Sequence, residues 1–327
     1  MKVNQITKAI MRRLEVIMLI TICICLSLPG IALAEWPEKQ INLIIPYAAG
    51  GSTDLVGRSL QPGLEKEFDR NILVKNIGGA AGTLGCAAVA KAKPDGYTVG
   101  LLTITPMHLV PHLRRLPYGK DSWTLIASIS DTPRALMVRK DSKYKTFDDF
   151  VDDAKKNPGK IKFGTSGIGS GSHVAVLAME EALGIKLHHI PDNSGAVLMK
   201  NMLAKVTDCA VDNVIYMERY DARSLLLFSN EKSSLFGDIP TTKEYNIKVP
   251  PTSGWTAIFG PKGIPQKIVD KHVAALGKVV KSERMKDIAK KSRFEIKFRS
   301  GQEFEDFFYD GYDELGVLLK KAGLKKN

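Results

Sequence analysis

The stretch Pro46-Tyr47-Ala48-Ala49-Gly50-Gly51-Ser52-Thr53-Asp54 decides how the rest of the chain is read. The apolar run Ile41-Asn-Leu-Ile-Ile45 leads into it, and the helical pattern Leu55-Val-Gly-Arg-Ser-Leu60 leads out. A buried strand therefore stops, the backbone turns at two glycines, and a helix starts, with Ser52, Thr53 and Asp54 all suited to cap it. Such a turn aims free backbone N–H groups and the positive end of a helix dipole at one point, which can hold an anion. The same grammar returns at Lys160-Ile-Lys-Phe-Gly164, then Thr165-Ser-Gly-Ile-Gly-Ser-Gly-Ser-His173, then the helical pattern Val174–Leu183. Two such units far apart in sequence predict two anion-holding loops facing one cleft.

The 327 residues suit two domains, with 44% hydrophobic and 25% charged residues, a composition that buries a core. The formal charge is +12, but no basic helix is interleaved with aromatics, which argues against nucleic acid. At the start, Lys2, Lys8, Arg12 and Arg13 precede the apolar run Val16–Leu28, Pro29-Gly30 and Ala32-Leu-Ala34. This is the pattern of a signal peptide, residues 1–34, cleaved after Ala34. Its removal takes away four basic side chains and one acidic one, so the charge falls to +9. Export is the expectation. Cys86 and Cys209 remain after cleavage, and sequence leaves open whether they are buried thiols or a disulfide.

Further strands are expected at 72–75, 98–103, 125–129, 135–139, 186–190, 207–213, 224–228 and 255–259. Helices are expected from 55 to about 68, at 86–92, from 146 to 158, at 174–183 and 197–203, and at 265–281, 283–292 and 302–322. Strands alternating with helices predict a parallel α/β sheet with ligand outside the carboxyl ends of the strands. Three enzyme signatures fail. Gly167-Ile-Gly-Ser-Gly171 is not a dinucleotide fingerprint, no Walker A sequence occurs, and Ile168 breaks a hydrolase elbow around Ser166. His108 and His112 stand four apart, but Pro106 and Pro111 argue against a helix there, and no cofactor or metal site is expected.

Eight pieces, in order, resemble the periplasmic substrate-binding receptors of tripartite tricarboxylate transporters, the Bug-type receptors. They are Pro46–Asp54, Ala92-Lys-Pro-Asp-Gly-Tyr-Thr98, Leu116-Pro-Tyr118, Asn157-Pro-Gly-Lys160, Gly164–His173, Val211-Asp-Asn213, Asp238-Ile-Pro-Thr241 and Gly260-Pro-Lys-Gly-Ile-Pro265. The resemblance implies an α/β, two-domain periplasmic binding protein of the Venus flytrap type, with a central cleft and two crossing strands. Domain 1 would comprise 35–133 and 251–327, and domain 2 would comprise 134–250, with crossings near Pro133–Met137 and Trp255–Phe259. It also implies a small carboxylate ligand, no enzymatic activity, and delivery to membrane transporter subunits or a periplasmic sensor by a monomer. An exported enzyme using Ser52, Ser172 or His173 is the alternative.

The expected ligand-binding residues are Tyr47, Ala49, Gly50, Gly51, Ser52 and Thr53 in the first loop, and Ser166, Gly167, Gly169, Ser170, Gly171 and Ser172 in the second. Glycine lets the backbone approach a carboxylate and Ser/Thr add hydroxyl donors. Asp212 is expected to organise the site, Arg134 to pair a second ligand carboxylate or lie on the surface, Trp255 to cover the ligand body or pack in the core, and Thr105 to contribute from beyond its strand. One departure stands out: Asp192-Asn193-Ser-Gly195 follows Pro191, where family members carry an aromatic and a basic residue.

Overall fold

The computed structural model describes residues 36–192, 195–249 and 252–324, with Met11, Arg13, Leu14 and Met18. The rest of the expected signal peptide, its cleavage after Ala34, Asn193 and Pro250-Pro251 lie outside these residues. Residues up to Glu38 make one compact unit and Lys39–Asn327 another; both sheets belong to the second.

The fold is mixed α/β. Strands β1 (Ile41–Ile45), β2 (Ile72–Asn76) and β3 (Thr98–Thr103) are parallel, as the alternation of strand and helix predicts. They are joined by α1 (Ser52–Phe68) and α2 (Thr83–Ala90). The sheet is completed by β4 (Trp123–Thr132), β10 (Gly254–Pro261) and β11 (Ile296–Ser300), in the order β11-β4-β10-β3-β1-β2. These last three pair antiparallel, which corrects the all-parallel expectation. β4 leaves for the second sheet along the direction of β1–β3, whereas β10, which returns from it, and β11 run against that direction.

The second sheet holds β5 (Arg134–Arg139), β6 (Lys162–Thr165), β7 (His188–Pro191), β8 (Cys209–Asn213) and β9 (Ala222–Phe228), in the order β7-β6-β8-β5-β9. Its helices are α4 (Phe147–Lys156), α5 (Gly171–Leu183), α6 (Gly195–Leu203) and the short α7 (Tyr216–Arg219), while α3 (Val110–Leu113), α8 (Gln266–Lys281), α9 (Glu283–Ser292) and α10 (Gly301–Lys321) complete the chain. Pro133 alone separates β4 from β5, so the chain passes between sheets at one residue. The chain rejoins the first sheet between β9 and β10, and Trp255–Phe259, expected as a strand, lies within β10.

Two cores flank the second sheet, and another fills the first. That last core does not stop at the first sheet. Val174 and Ala178 of α5 join Phe304, Phe308, Leu315, Leu318 and Leu319 of α10 in one apolar cluster. The helix behind the second Gly loop is thereby packed onto the first lobe.

The segment 105–113 corrects the reading of its prolines. Thr105–Leu109 forms a π turn and continues into α3. Pro106 and Pro111 each sit within the first two residues of their turn, where a missing N–H costs no helical bond. Cys86 and Cys209 are both free and buried.

Candidate functional site

The first loop is organised from below by Asp54, a buried residue three places into the expected cap. Gly51 is the N-cap and no side chain caps the helix, which corrects the capping role expected of Ser52, Thr53 and Asp54. Asp54 instead acts from the first turn of α1. Its Oδ2 accepts from the Gly50 N–H at 2.8 Å and Arg58 Nε at 2.9 Å, and its Oδ1 accepts from Asn76 Nδ2 at 2.9 Å. Asn76 Nδ2 also donates to the Tyr47 carbonyl at 3.0 Å. Burial pushes the Asp54 carboxyl up, but the donors Arg58, Gly50 and Asn76 outweigh it and hold the group below its ordinary range.

With Gly50 occupied, the N–H groups of Gly51, Ser52 and Thr53 have no protein acceptor among the described residues. Ala49, Gly50, Gly51 and Ser52 are exposed, and Thr53 is buried. Gly50 has φ +81°, a conformation that a Cβ would strain. The Tyr47 hydroxyl lies 2.8 Å from Thr103 Oγ1, and burial pushes its pKa up to about 12, against the lowering effect of that bond. Thr105 is half-buried beside it, its hydroxyl a further partner of Tyr47.

The second loop is tied differently. Ser170 caps α5 by accepting from the His173 N–H at 3.3 Å. Gly169 N–H donates to His173 Nδ1 at 3.1 Å, and Ser170 N–H to the Gly167 carbonyl at 3.2 Å. Gly167 and Gly169 have φ +126° and +72°. Ser166 is half-buried and Ser172 fully buried.

Ser172 is held by Arg134. The Arg134 side chain is 9% exposed and that of Asp212 is 10%. Arg134 Nη1 donates to Ser172 Oγ and to Asp212 Oδ1, each at 3.0 Å, and its Nε donates to the Thr252 carbonyl at 2.6 Å. A Cβ on Gly171 would meet Arg134 Nη2 at 2.7 Å, so only glycine lets α5 start this close to the guanidinium. Burial pulls the guanidinium pKa down and Asp212 pushes it back. Asp212 Oδ1 also accepts from the Asn213 N–H at 2.7 Å. Arg134 is therefore buried and not a surface residue. It joins the second loop, the end of β8 and the approach to β10.

Trp255 is fully buried, ringed by His108, Phe259, Phe307 and Phe308. It belongs to the core and presents no face to a ligand. His108 is fully buried with it and neutral, its pKa pushed down to about 3 by burial and by His112. Among the described residues no group of three His, Cys, Asp or Glu side chains is placed to hold a metal. Asp192, at the departure, turns its Oδ1 to Asn201 Nδ2 at 2.7 Å, and burial pushes its carboxyl up.

The expected residues thus fall into two groups. Tyr47, Thr105 and the first loop form one; Ser166 to Ser172, Arg134 and Asp212 form the other. No hydrogen bond joins the groups among the described residues. Leu113 approaches the second loop directly, its Cδ1 2.9 Å from where a Gly169 Cβ would stand. Sequence reasoning missed Asn76, Arg58 and His189, which carry no local signal. It quoted Asp54 and His173 but gave neither this role.

The family described as "Tripartite tricarboxylate transporter family receptor" matches residues 56–324. A UPF0065 protein of Agrobacterium vitis is 32% identical over 263 residues, covering 78% of this chain and 75% of the relative. The crystal structure of a TctC solute binding protein from Polaromonas superposes with a TM-score of 0.78 at 29% identity, covering 88% of this chain and all of that one. A Rhodopseudomonas palustris protein, "R. palustris Rpa4515 with adipate", shares the fold with a TM-score of 0.74 at 22% identity, covering 88% of this chain and 99% of that one.

Proposed function

From the premise that the chain belongs to the tripartite tricarboxylate transporter receptor family, we propose that it binds a small carboxylate between the loop 47–53 and the loop 166–172 and delivers it to membrane transporter subunits. The observation that carries the reading is the row of N–H groups of Gly51, Ser52 and Thr53, unpaired at the start of a 17-residue helix and exposed at their near end. Unpaired N–H donors at a helix N-terminus are what a carboxylate oxygen needs. The adipate held by the Rhodopseudomonas protein of the same fold agrees with that ligand class.

In this reading the lobes are 35–133 with 251–327 and 134–250, and the ligand is gripped when both close on it. The receptor is a periplasmic monomer, exported by the leader 1–34. No helix among the described residues is long and apolar enough to cross a membrane. It performs no chemistry on the ligand. Ser172 accepts from Arg134 and His173 Nδ1 accepts from a backbone N–H, so neither forms a nucleophile–base pair with the other.

The test is a thermal-shift screen with mono-, di- and tricarboxylates. A true ligand at a hundred times its dissociation constant adds about 2.7 kcal/mol. Stabilisation by an unrelated class of compound, and by no carboxylate, would overturn the ligand assignment. Reproducible turnover of a bound acid would overturn the non-enzymatic reading.

A further inference from the structure

The second loop rests on a pair of stacked imidazoles. His173 and His189 lie with ring centroids 4.1 Å apart at 15°, and Phe163 stacks on His189 at 4.7 Å and 18° and lies 6.4 Å from His173. His189 Nε2 is 2.7 Å from Thr165 Oγ1, which also meets the Gly167 carbonyl at 3.2 Å. Gly169 N–H donates to His173 Nδ1. A backbone N–H can only donate, so Nδ1 is unprotonated and His173 carries its proton on Nε2.

Among the described residues neither imidazole has a carboxylate partner. The titratable and charged groups on the elements packed around them include Lys162 on β6, His188 on β7, Asp192 after it, Asp212 on β8, Glu180 and Glu181 on α5, Lys200 on α6, Arg114 beside Leu113, and Glu314, Lys320 and Lys321 on α10, and Arg134 bonds the neighbouring Ser172. The two acids nearest in the chain are already engaged: Glu180 accepts from the Leu187 N–H and Asp192 from Asn201. Burial depresses both histidines, His189 down to about 4 with His173 and His188 adding repulsion.

We propose that His173 is a positioning residue of the second loop, and that protonating its Nδ1 releases the turn at Gly169 and with it the ligand. Protonation converts the acceptor of the Gly169 N–H into a donor facing a donor. It also places a charge 4.1 Å from a second imidazole with no acid to offset it. The opposing effect is attraction between a new cation and a bound carboxylate, which would tighten binding in acid. The loss of the hydrogen bond acts on the loop itself and is set against that attraction. This inference rests on the proposal that loop 166–172 holds the ligand, but its first readout does not.

The test uses the ligand-free protein and its His173→Asn variant. The asparagine amide oxygen can accept in place of Nδ1 and does not titrate. By NMR, wild-type His173 at pH 7.5 should be the Nε2-protonated tautomer. The Gly169 amide should shift on acidification with the same midpoint as the His173 ring, while staying flat in His173→Asn. A Gly169 amide that does not follow the ring, or an Nδ1-protonated His173, overturns the proposal. The second readout is adipate affinity of the two proteins at each pH, whose ratio cancels the titration of adipate itself. Wild type should weaken about twofold relative to His173→Asn at the ring's midpoint and about tenfold one pH unit below it. A ratio that stays constant or rises also overturns it. Adipate binding to neither protein at pH 7.5 would exclude adipate alone among carboxylates, and the Gly169 titration would still decide the role of His173.

Discussion

Replacing Asp212 by alanine removes the one acidic partner that Arg134 has among the described residues, where both side chains are about nine-tenths buried. In water such a pair would matter little. Here the charges lie 3.0 Å apart between the nearest atoms, and the guanidinium is otherwise held by a serine hydroxyl and a backbone carbonyl. For charge centres about 4 Å apart the attraction is about 4 kcal/mol at an effective dielectric of about 20. Breaking a buried pair from one side costs roughly 3–5 kcal/mol, because the remaining charge stays desolvated. Asp212→Ala should therefore lose roughly 3–5 kcal/mol in urea-induced unfolding. The double variant Arg134→Met/Asp212→Ala should recover part of this loss, since it leaves no charge behind. The two single variants and the double form a cycle whose coupling should exceed about 1 kcal/mol. A loss below about 1 kcal/mol for Asp212→Ala, with no coupling to Arg134, would show that water reaches the pair and that it does not hold the second loop.

Three further outcomes follow from the same geometry. Asp54→Ala strips the acceptor from the Gly50 N–H and from Arg58 and Asn76, and should cost roughly 1–3 kcal/mol with weaker carboxylate binding; unchanged binding would free the first loop from its dependence on Asp54. Gly169→Val forces a β-branched residue to φ +72° against Leu113, so ligand affinity should fall well beyond the roughly 1–2 kcal/mol of backbone strain, as titration calorimetry would show. His108 and His272, both buried, have pKa values pushed down to about 3 and about 4, below the ordinary value of roughly 6.5 that they regain on unfolding. Their contribution to stability is complete above about pH 6.5 and is lost as pH falls towards those folded values, by up to about 1.4 kcal/mol per pH unit for each. Unfolding midpoints that stay level from pH 6.5 to 4.5 would mean that these rings are hydrated.

The two strand–loop–helix units were legible because each is local. An apolar run, a glycine turn and a period of 3.6 lie within about twenty residues. The expected groups of loop residues emerged for the same reason. What stayed hidden depends on partners far away in the chain. β11 reads as Ile-Lys-Phe-Arg-Ser, too mixed to declare itself, and becomes a strand by pairing with β4. Trp255 could not be assigned because β10 is buried along almost its whole length, so alternation carries no information about its faces. Arg134 opens β5, yet its partners come from residues 172, 212 and 252, which no spacing rule connects. The prolines at 106 and 111 were read by residue type alone, when their position within the first turn decides whether they break a helix.

The two free cysteines have a practical consequence. Cys86 lies on α2 against the first sheet, Cys209 opens β8 in the second, and burial pushes both thiols up, Cys86 to about 12. Neutral-pH maleimide chemistry needs an accessible thiolate and should pass both by. A spectroscopic probe can therefore be attached to residues 35–327 without first removing a native cysteine. Lys75 and Lys186 are exposed, one beside each sheet, and exchanging both for cysteine would set a pair of labels on opposite lobes. The distance between those labels, with and without adipate, would measure directly how far the lobes travel.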